Sequence, residues 1–151
     1  MSQQDLLDHL RIRPAFQELL EEINNGQPPP LLGLPRAARL PVLIAVRQQL
    51  NRPVLLITGR TDRALSLADE WGFWEPEVGR YFFPEPDPLF YERIPWSKKT
   101  RRDRAHVLAV LAAQQIPVHI QEESAPAIIA PARAVMTKTL PRRSFLQAAH
   151  L

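Results

Sequence analysis

The chain has 151 residues, 45% of them hydrophobic and 23% charged, a balance that suits one domain around a single core. Nineteen basic residues against sixteen acidic give a formal charge of +3, which permits weak nucleic-acid contact but does not argue for it, since a dedicated binder usually shows a concentrated patch. The absence of cysteine excludes disulfides, thiolate metal sites and cysteine nucleophiles; no apolar run approaches the roughly 20 residues that span a membrane; and Met1-Ser2-Gln3-Gln4-Asp5 has no basic or apolar leader, so a cytoplasmic protein is expected.

Leu6, Leu7 and Leu10 share one side of a short predicted helix over residues 2–12. Pro14 suits the first position of a second helix, with Phe16, Leu19, Leu20 and Ile23 at helical spacing and Asn24-Asn25-Gly26 as its stop. Residues 1–26 thus read as an N-terminal helical appendage, joined by a stiff proline-rich connector at 27–30 to a main domain at 31–151. There Leu31–Leu34 is predicted as a strand, and Ala37–Leu50 as a helix with Pro41 in its first turn. Pro53–Thr58 follows as a strand apolar on both faces, as a parallel sheet requires. Asp62–Trp71 reads as a helix with Ala64, Leu65, Ala68 and Trp71 inward and Gly72 as its stop.

Arg80–Phe83 is a third predicted strand, and Pro84–Ser97 an aromatic, proline-rich loop. Thr100 is expected to cap the next helix, Asp103 completing a capping box and Val107, Leu108, Leu111 and Ala112 facing the sheet. Ile116–Glu123 is ambiguous, with Ile116, Val118 and Ile120 alternating as in an edge strand. Ala127–Ala130 reads as a short buried strand, Ala132–Lys138 as a short helix and Arg143–His150 as a last helical piece. Sixteen prolines against five glycines punctuate these elements rather than mark disorder. Strands alternating with helices predict an α/β fold, a parallel sheet with right-handed crossovers.

The step from Leu31-Leu32-Gly33 into the following helix has the frame of a phosphate-cradling loop, G-x-x-x-x-G-K-[S/T]. Such a loop needs glycines so that the backbone can wrap the phosphates, a lysine to reach the β and γ positions, and a hydroxyl for magnesium. Gly33 stands at the first glycine, but Ala38, Arg39 and Leu40 stand at the second glycine, the lysine and the hydroxyl, and Pro35 removes an N–H donor. Gly33, Arg36, Ala38, Arg39 and Leu40 therefore read as a degenerate phosphate loop with at most weak helix N-terminal amides to offer.

A denser cationic run, Lys98, Lys99, Arg101, Arg102 and Arg104, lies at a helix start, the unfavourable end of the dipole. It is a candidate contact patch for nucleic acid or an acidic protein surface. His9, His106, His119 and His150 lack metal-ligand spacing, and Ser97, Ser124 and Ser144 lie in no nucleophile motif. After Ala127–Ala130 comes Pro131-Ala132-Arg133 rather than a magnesium-holding acidic motif, and Glu85, Asp87 and Glu92 show no spacing that pairs them. No catalytic constellation is predicted, and no metal or cofactor is expected in this chain.

Several segments, taken in order, resemble a known family. Leu31-Leu32-Gly33 with its degenerate loop and helix, then Arg52–Thr58 leading into Asp62–Glu70, resembles the first helicase-like segment of the excision-repair protein UvrB. The likeness is closer to the N-terminal UvrB-homology region of the bacterial transcription-repair coupling factors. Phe83-Pro84 and Leu89-Phe90-Tyr91-Glu92-Arg93-Ile94-Pro95 are similar to that family's F-P-x-W-x-x-L-P-Y-E-R-x-S-P, with Phe90 in place of the proline and the tryptophan unmatched. Ala127–Met136 is similar to its I-V-A-P-V-R-A-L-L, so the likeness spans about residues 31–146.

The resemblance implies a RecA/helicase-like fold of the UvrB domain 1a type, with Ala38, Arg39 and Leu40 standing where UvrB has glycine, lysine and threonine. It implies a non-catalytic scaffold in transcription-coupled nucleotide-excision DNA repair, supporting a UvrA-recruiting domain and a resting, autoinhibited arrangement within a larger parent protein. In that family ATP and magnesium serve a motor far downstream of residue 151, and RNA polymerase and DNA are held by distant modules. UvrA is met by a domain inserted just after Ser144-Phe145-Leu146. No membrane partner is expected. Two alternatives stand beside this reading: a nucleotide-binding UvrB-like helicase fragment with Arg39 for lysine, and a small basic nucleic-acid-binding module using Lys98 to Arg104.

Overall fold

The computed structural model describes residues 2–28, 32–88, 91–114, 124–139 and 141–148. Within them the chain runs α1 (Gln3–Arg11), α2 (Pro14–Asn24), α3 (Arg36–Leu50), β1 (Val54–Thr58), α4 (Thr61–Trp74), β2 (Arg80–Phe82), α5 (Lys98–Ala113), β3 (Ala127–Pro131), α6 (Ala132–Met136) and α7 (Arg142–Ala148). The expected α/β class holds: the strands form one parallel sheet in the order β1-β3-β2, flanked by helices. Among the described residues no helix is long and apolar enough to cross a membrane.

Among the described strands the last in sequence is the middle one in space. Ile129 lies opposite Leu56 on one side and Phe82 on the other, and every residue of β3 is buried. Because strand side chains alternate in direction, Ala127 and Ile129 enter a core with Ile44, Trp71 and the N-terminal residues Leu7, Phe16 and Leu20. Ile128 and Ala130 enter a smaller core with Phe83, Val107 and Ala134 on the opposite face. That second core reaches β2 and β3 but stops short of β1, so Leu55 and Ile57 stay 51% and 49% exposed. The expectation that this strand is covered on both faces is thus corrected: it is covered on one.

Four local expectations change for identifiable reasons. Residues 32–35 form no strand; Leu32 and Leu34 instead line a hollow with Leu19, Ile23, Val42 and Val46, beside α2 and α3 and away from the sheet. Because α3 starts at Arg36, Pro41 falls in its second turn, where its missing N–H leaves the Ala37 carbonyl without its usual partner. α4 continues through Gly72 to Trp74. A Cβ at Gly72 would lie 2.9 Å from the Arg80 guanidinium, so this glycine serves close packing rather than termination. On the same helix Leu67 is buried and Leu65 is 46% exposed, the reverse of the expected facing. The ambiguous segment 116–123 lies outside the described residues, as do 29–31 of the connector and expected strand.

A buried polar cluster ties these layers together. Arg47 of α3 donates to Glu75 through Nε at 3.1 Å and Nη2 at 2.5 Å, and through Nη1 to the Ala125 carbonyl and the Ser124 hydroxyl, both at 2.8 Å. Glu75 also accepts from Trp71 Nε1 at 2.9 Å and Gln48 Nε2 at 2.5 Å, and Arg11 of α1 reaches Gln48 in turn. A bidentate, fully hydrogen-bonded pair is the geometry in which burial of two charges is tolerable. Removing one partner leaves the other charge buried and unpaired. Arg47→Ala or Glu75→Ala is therefore expected to lower stability by about 3–5 kcal/mol in urea unfolding. The paired apolar replacement Arg47→Met/Glu75→Leu should recover part of that loss.

Candidate functional site

Ligands of open α/β sheets gather beyond the carboxyl ends of the strands. β1 ends at Thr58, whose hydroxyl donates to the Arg60 carbonyl at 2.8 Å, and Gly59-Arg60 turns the chain into α4. Beside this turn lies a cleft of about 470 Å³, floored by Leu40, Leu56 and Leu67 and lined by Arg36, Arg39 and Arg63. An adjoining hollow of about 450 Å³ shares Arg36 and Arg63 and adds Gly59, Arg60, Asp62 and Ser66.

The degenerate-loop positions distribute unevenly around this cleft. Arg36 and Arg39 are exposed and line it. Leu40, where a phosphate loop carries its magnesium hydroxyl, is 3% exposed and belongs to the larger core. Ala38 is half-buried and Gly33 exposed, and a Cβ at Gly33 would meet nothing within 4 Å. No side chain caps α3, since Pro35 occupies the capping position; Arg39 Nε donates instead to the Leu34 carbonyl at 3.2 Å. The chemistry at this end of the sheet is carried by guanidinium groups rather than by wrapped backbone amides.

Arg60 and Arg63 carry no motif in the sequence; the usable signal is their position immediately after an apolar strand. Arg60 contacts Asp62 at 3.0 Å, while Arg63 stands 4.0 Å from Glu70. The backbone N–H of Arg63 holds the Asp62 carboxyl below its ordinary range, and the Arg60 side chain adds to that effect. Among the described residues Arg36 and Arg39 have no carboxylate partner within ion-pair distance, and no group of three or more His, Asp or Glu side chains is placed to hold a metal.

The second cationic run divides in two. Lys98, Lys99, Arg101 and Arg102 are exposed on the first turn of α5, with Lys99 paired to Asp103 at 2.6 Å. Arg104 is not part of that patch: it is 3% exposed, 4.0 Å over the Phe83 ring and 5.0 Å over Trp96. Its Nη1 donates to the Pro84 carbonyl at 2.7 Å and the Ala134 carbonyl at 3.2 Å, so it pins loop, helix and sheet together. Burial lowers its pKa from the ordinary arginine value. Helical periodicity places position 104 on the apolar side with Val107 and Leu111, which the density of basic neighbours conceals.

The cap also moves. Ser97, not Thr100, caps α5, accepting from the Thr100 N–H at 3.1 Å. The acid that completes the box comes from the loop: Asp87 accepts from the Ser97 N–H at 2.9 Å and from the Thr100 hydroxyl at 3.0 Å. Glu85 is likewise engaged, accepting from the Thr61 hydroxyl at 2.6 Å and lying 3.7 Å from Arg133. Loop acids that spacing could not pair are thus fastened to three helix starts.

Two measurements check this arrangement. The Ser97 N–H, and after it the Thr100 hydroxyl, hold the Asp87 carboxyl below its ordinary range. A depressed carboxyl contributes stability that is present above the unfolded value near 4 and is lost as pH falls through the lower folded value. Asp87→Asn should flatten that acid limb of the stability–pH curve, and Ser97→Ala should cost about 1 kcal/mol at neutral pH. Arg104→Ala strands two carbonyls and empties the space between two rings, so a loss of about 2–4 kcal/mol is expected in urea unfolding, whereas Arg101→Ala should change stability by less than about 0.5 kcal/mol.

Compared with protein-family models, with curated proteins and with solved structures, the chain matches none.

Proposed function

We propose that this chain is a catalytically inert, RecA/helicase-like α/β domain of the kind found at the N-terminus of bacterial transcription-repair coupling factors. Its role is that of a scaffold in transcription-coupled nucleotide-excision repair, supporting a neighbouring UvrA-recruiting domain within a larger cytoplasmic protein. The observation that carries this reading is Leu40, buried in the core at the position where a working phosphate loop presents a hydroxyl to magnesium. Ala38 and Pro35 support it, the first by its Cβ and the second by its missing N–H. The resemblance of the motif order from Gly33 through Phe83-Pro84 to Ala127–Met136 is what suggests the family.

Calorimetric titration with ATP in the presence and absence of magnesium tests the inert reading. The expected result is no turnover and no gain in affinity on adding the metal. Micromolar, magnesium-dependent binding that disappears in Arg39→Ala would favour the nucleotide-binding UvrB-like alternative and overturn the proposal.

A further inference from the structure

We propose that the arginine-lined cleft at the carboxyl end of β1 is a docking trough for the phosphodiester backbone of a nucleic-acid strand. Two hollows that meet at Arg36 and Arg63 form one continuous depression, with Arg39 toward one end and Arg60 toward the other. Four guanidinium groups therefore line a trough in which the one carboxylate among the described lining residues is Asp62, engaged by Arg60; Glu70, outside the lining, lies 4.0 Å from Arg63. Arg36 and Arg39 remain uncompensated by any described carboxylate, although both stand in the first turns of α3, where the helix dipole disfavours cations. Arg36 is exposed, and no hydrogen bond or ion pair among the described residues engages it.

The geometry of the cation suits the ligand, although arginine is also the usual cation of this chain, with lysine only at Lys98, Lys99 and Lys138. All four are arginine, whose planar fork matches phosphate oxygens two at a time and sheds water more readily than an ammonium. Phosphate oxygens take the larger share of hydrogen bonds from such groups, and the described lining adds no Asn or Gln to read adenine edges, so the proposed contact is with the backbone. The more accessible apolar lining of Leu43, Leu56 and Ile57 gives sugars and bases a dry surface beside the cations. A small nucleotide is less well matched, because no glycine loop wraps its phosphates. This assignment stands apart from the kinship proposed above; the trough would act the same way on a scaffold of any ancestry.

Fluorescence anisotropy of a labelled single-stranded oligothymidylate tests it, comparing the full chain with Arg36→Gln/Arg63→Gln and with the control Arg101→Gln/Arg102→Gln. Both pairs leave the Arg39–Leu34 and Arg104 contacts intact, and circular dichroism confirms folding. The trough variant should lose about tenfold or more in affinity at low salt, and the slope of log affinity against log salt should fall by about 1.4, or about 0.7 for each phosphate contact removed. The control should stay within about twofold. Absence of salt-dependent binding by the parent chain, or equal loss in both variants, would overturn the trough. So would competition by polyglutamate as strong as that by unlabelled oligonucleotide at equal charge, which would assign the site to acidic protein instead.

Discussion

Arg47 and Glu75 form the interaction on which the rest of the structure depends. One guanidinium reaches the end of α4 and the residues leading into β3, while the carboxylate it holds takes the Trp71 indole and Gln48. Helix, helix and central strand are thereby fixed in one register by groups that have no water to fall back on. Apolar contact alone would hold the same layers with less positional discrimination, since Leu and Ile surfaces tolerate sliding. Gln48 extends the cluster to Arg11, so the N-terminal helices join the same network as the sheet.

The sheet is asymmetric, and the candidate cleft lies on its better-covered side. On one face α3 and α4 bury Leu56 and Ile129 with Trp71; on the other, α5 and α6 bury Ile128 and Ala130 but leave Leu55 and Ile57 open. The arginine cleft lies where the well-covered face meets the carboxyl end of β1, between the starts of α3 and α4. Rigid elements therefore present Arg36 and Arg63, while Arg60 sits in the turn between strand and helix.

Legibility in the sequence followed the range of the interactions. Pro14, the spacing of Phe16, Leu19 and Leu20, and Gly26 with φ of 71° are local signals, and α2 forms where they place it. β3 was legible because a strand buried on both faces reads as an unbroken apolar run. What was not legible depended on distant partners: Asp87 completes a cap ten residues away, Gly72 makes room for Arg80, and Leu32 and Leu34 leave the sheet for α2 and α3. At the site, Arg36 and Arg39 were visible through a motif frame, whereas Arg60 and Arg63 belong to it only through the fold. Arg104 misled because charge density is a poor guide to exposure when two aromatic rings and two carbonyls wait inside.

The central position of β3 also dictates the order in which the molecule can be made. β1 and β2 do not pair with each other; among the described residues each pairs with β3, which begins at Ala127. A nascent chain consequently carries β1 and β2, the first bearing Leu55 and Ile57, without the strand that joins them until residues 127–131 have left the ribosome. Sheet closure is a late, long-range event, set by chain topology rather than by local propensity. The helical N-terminus can gather first, and these layers become one body only when β3 slides between β1 and β2.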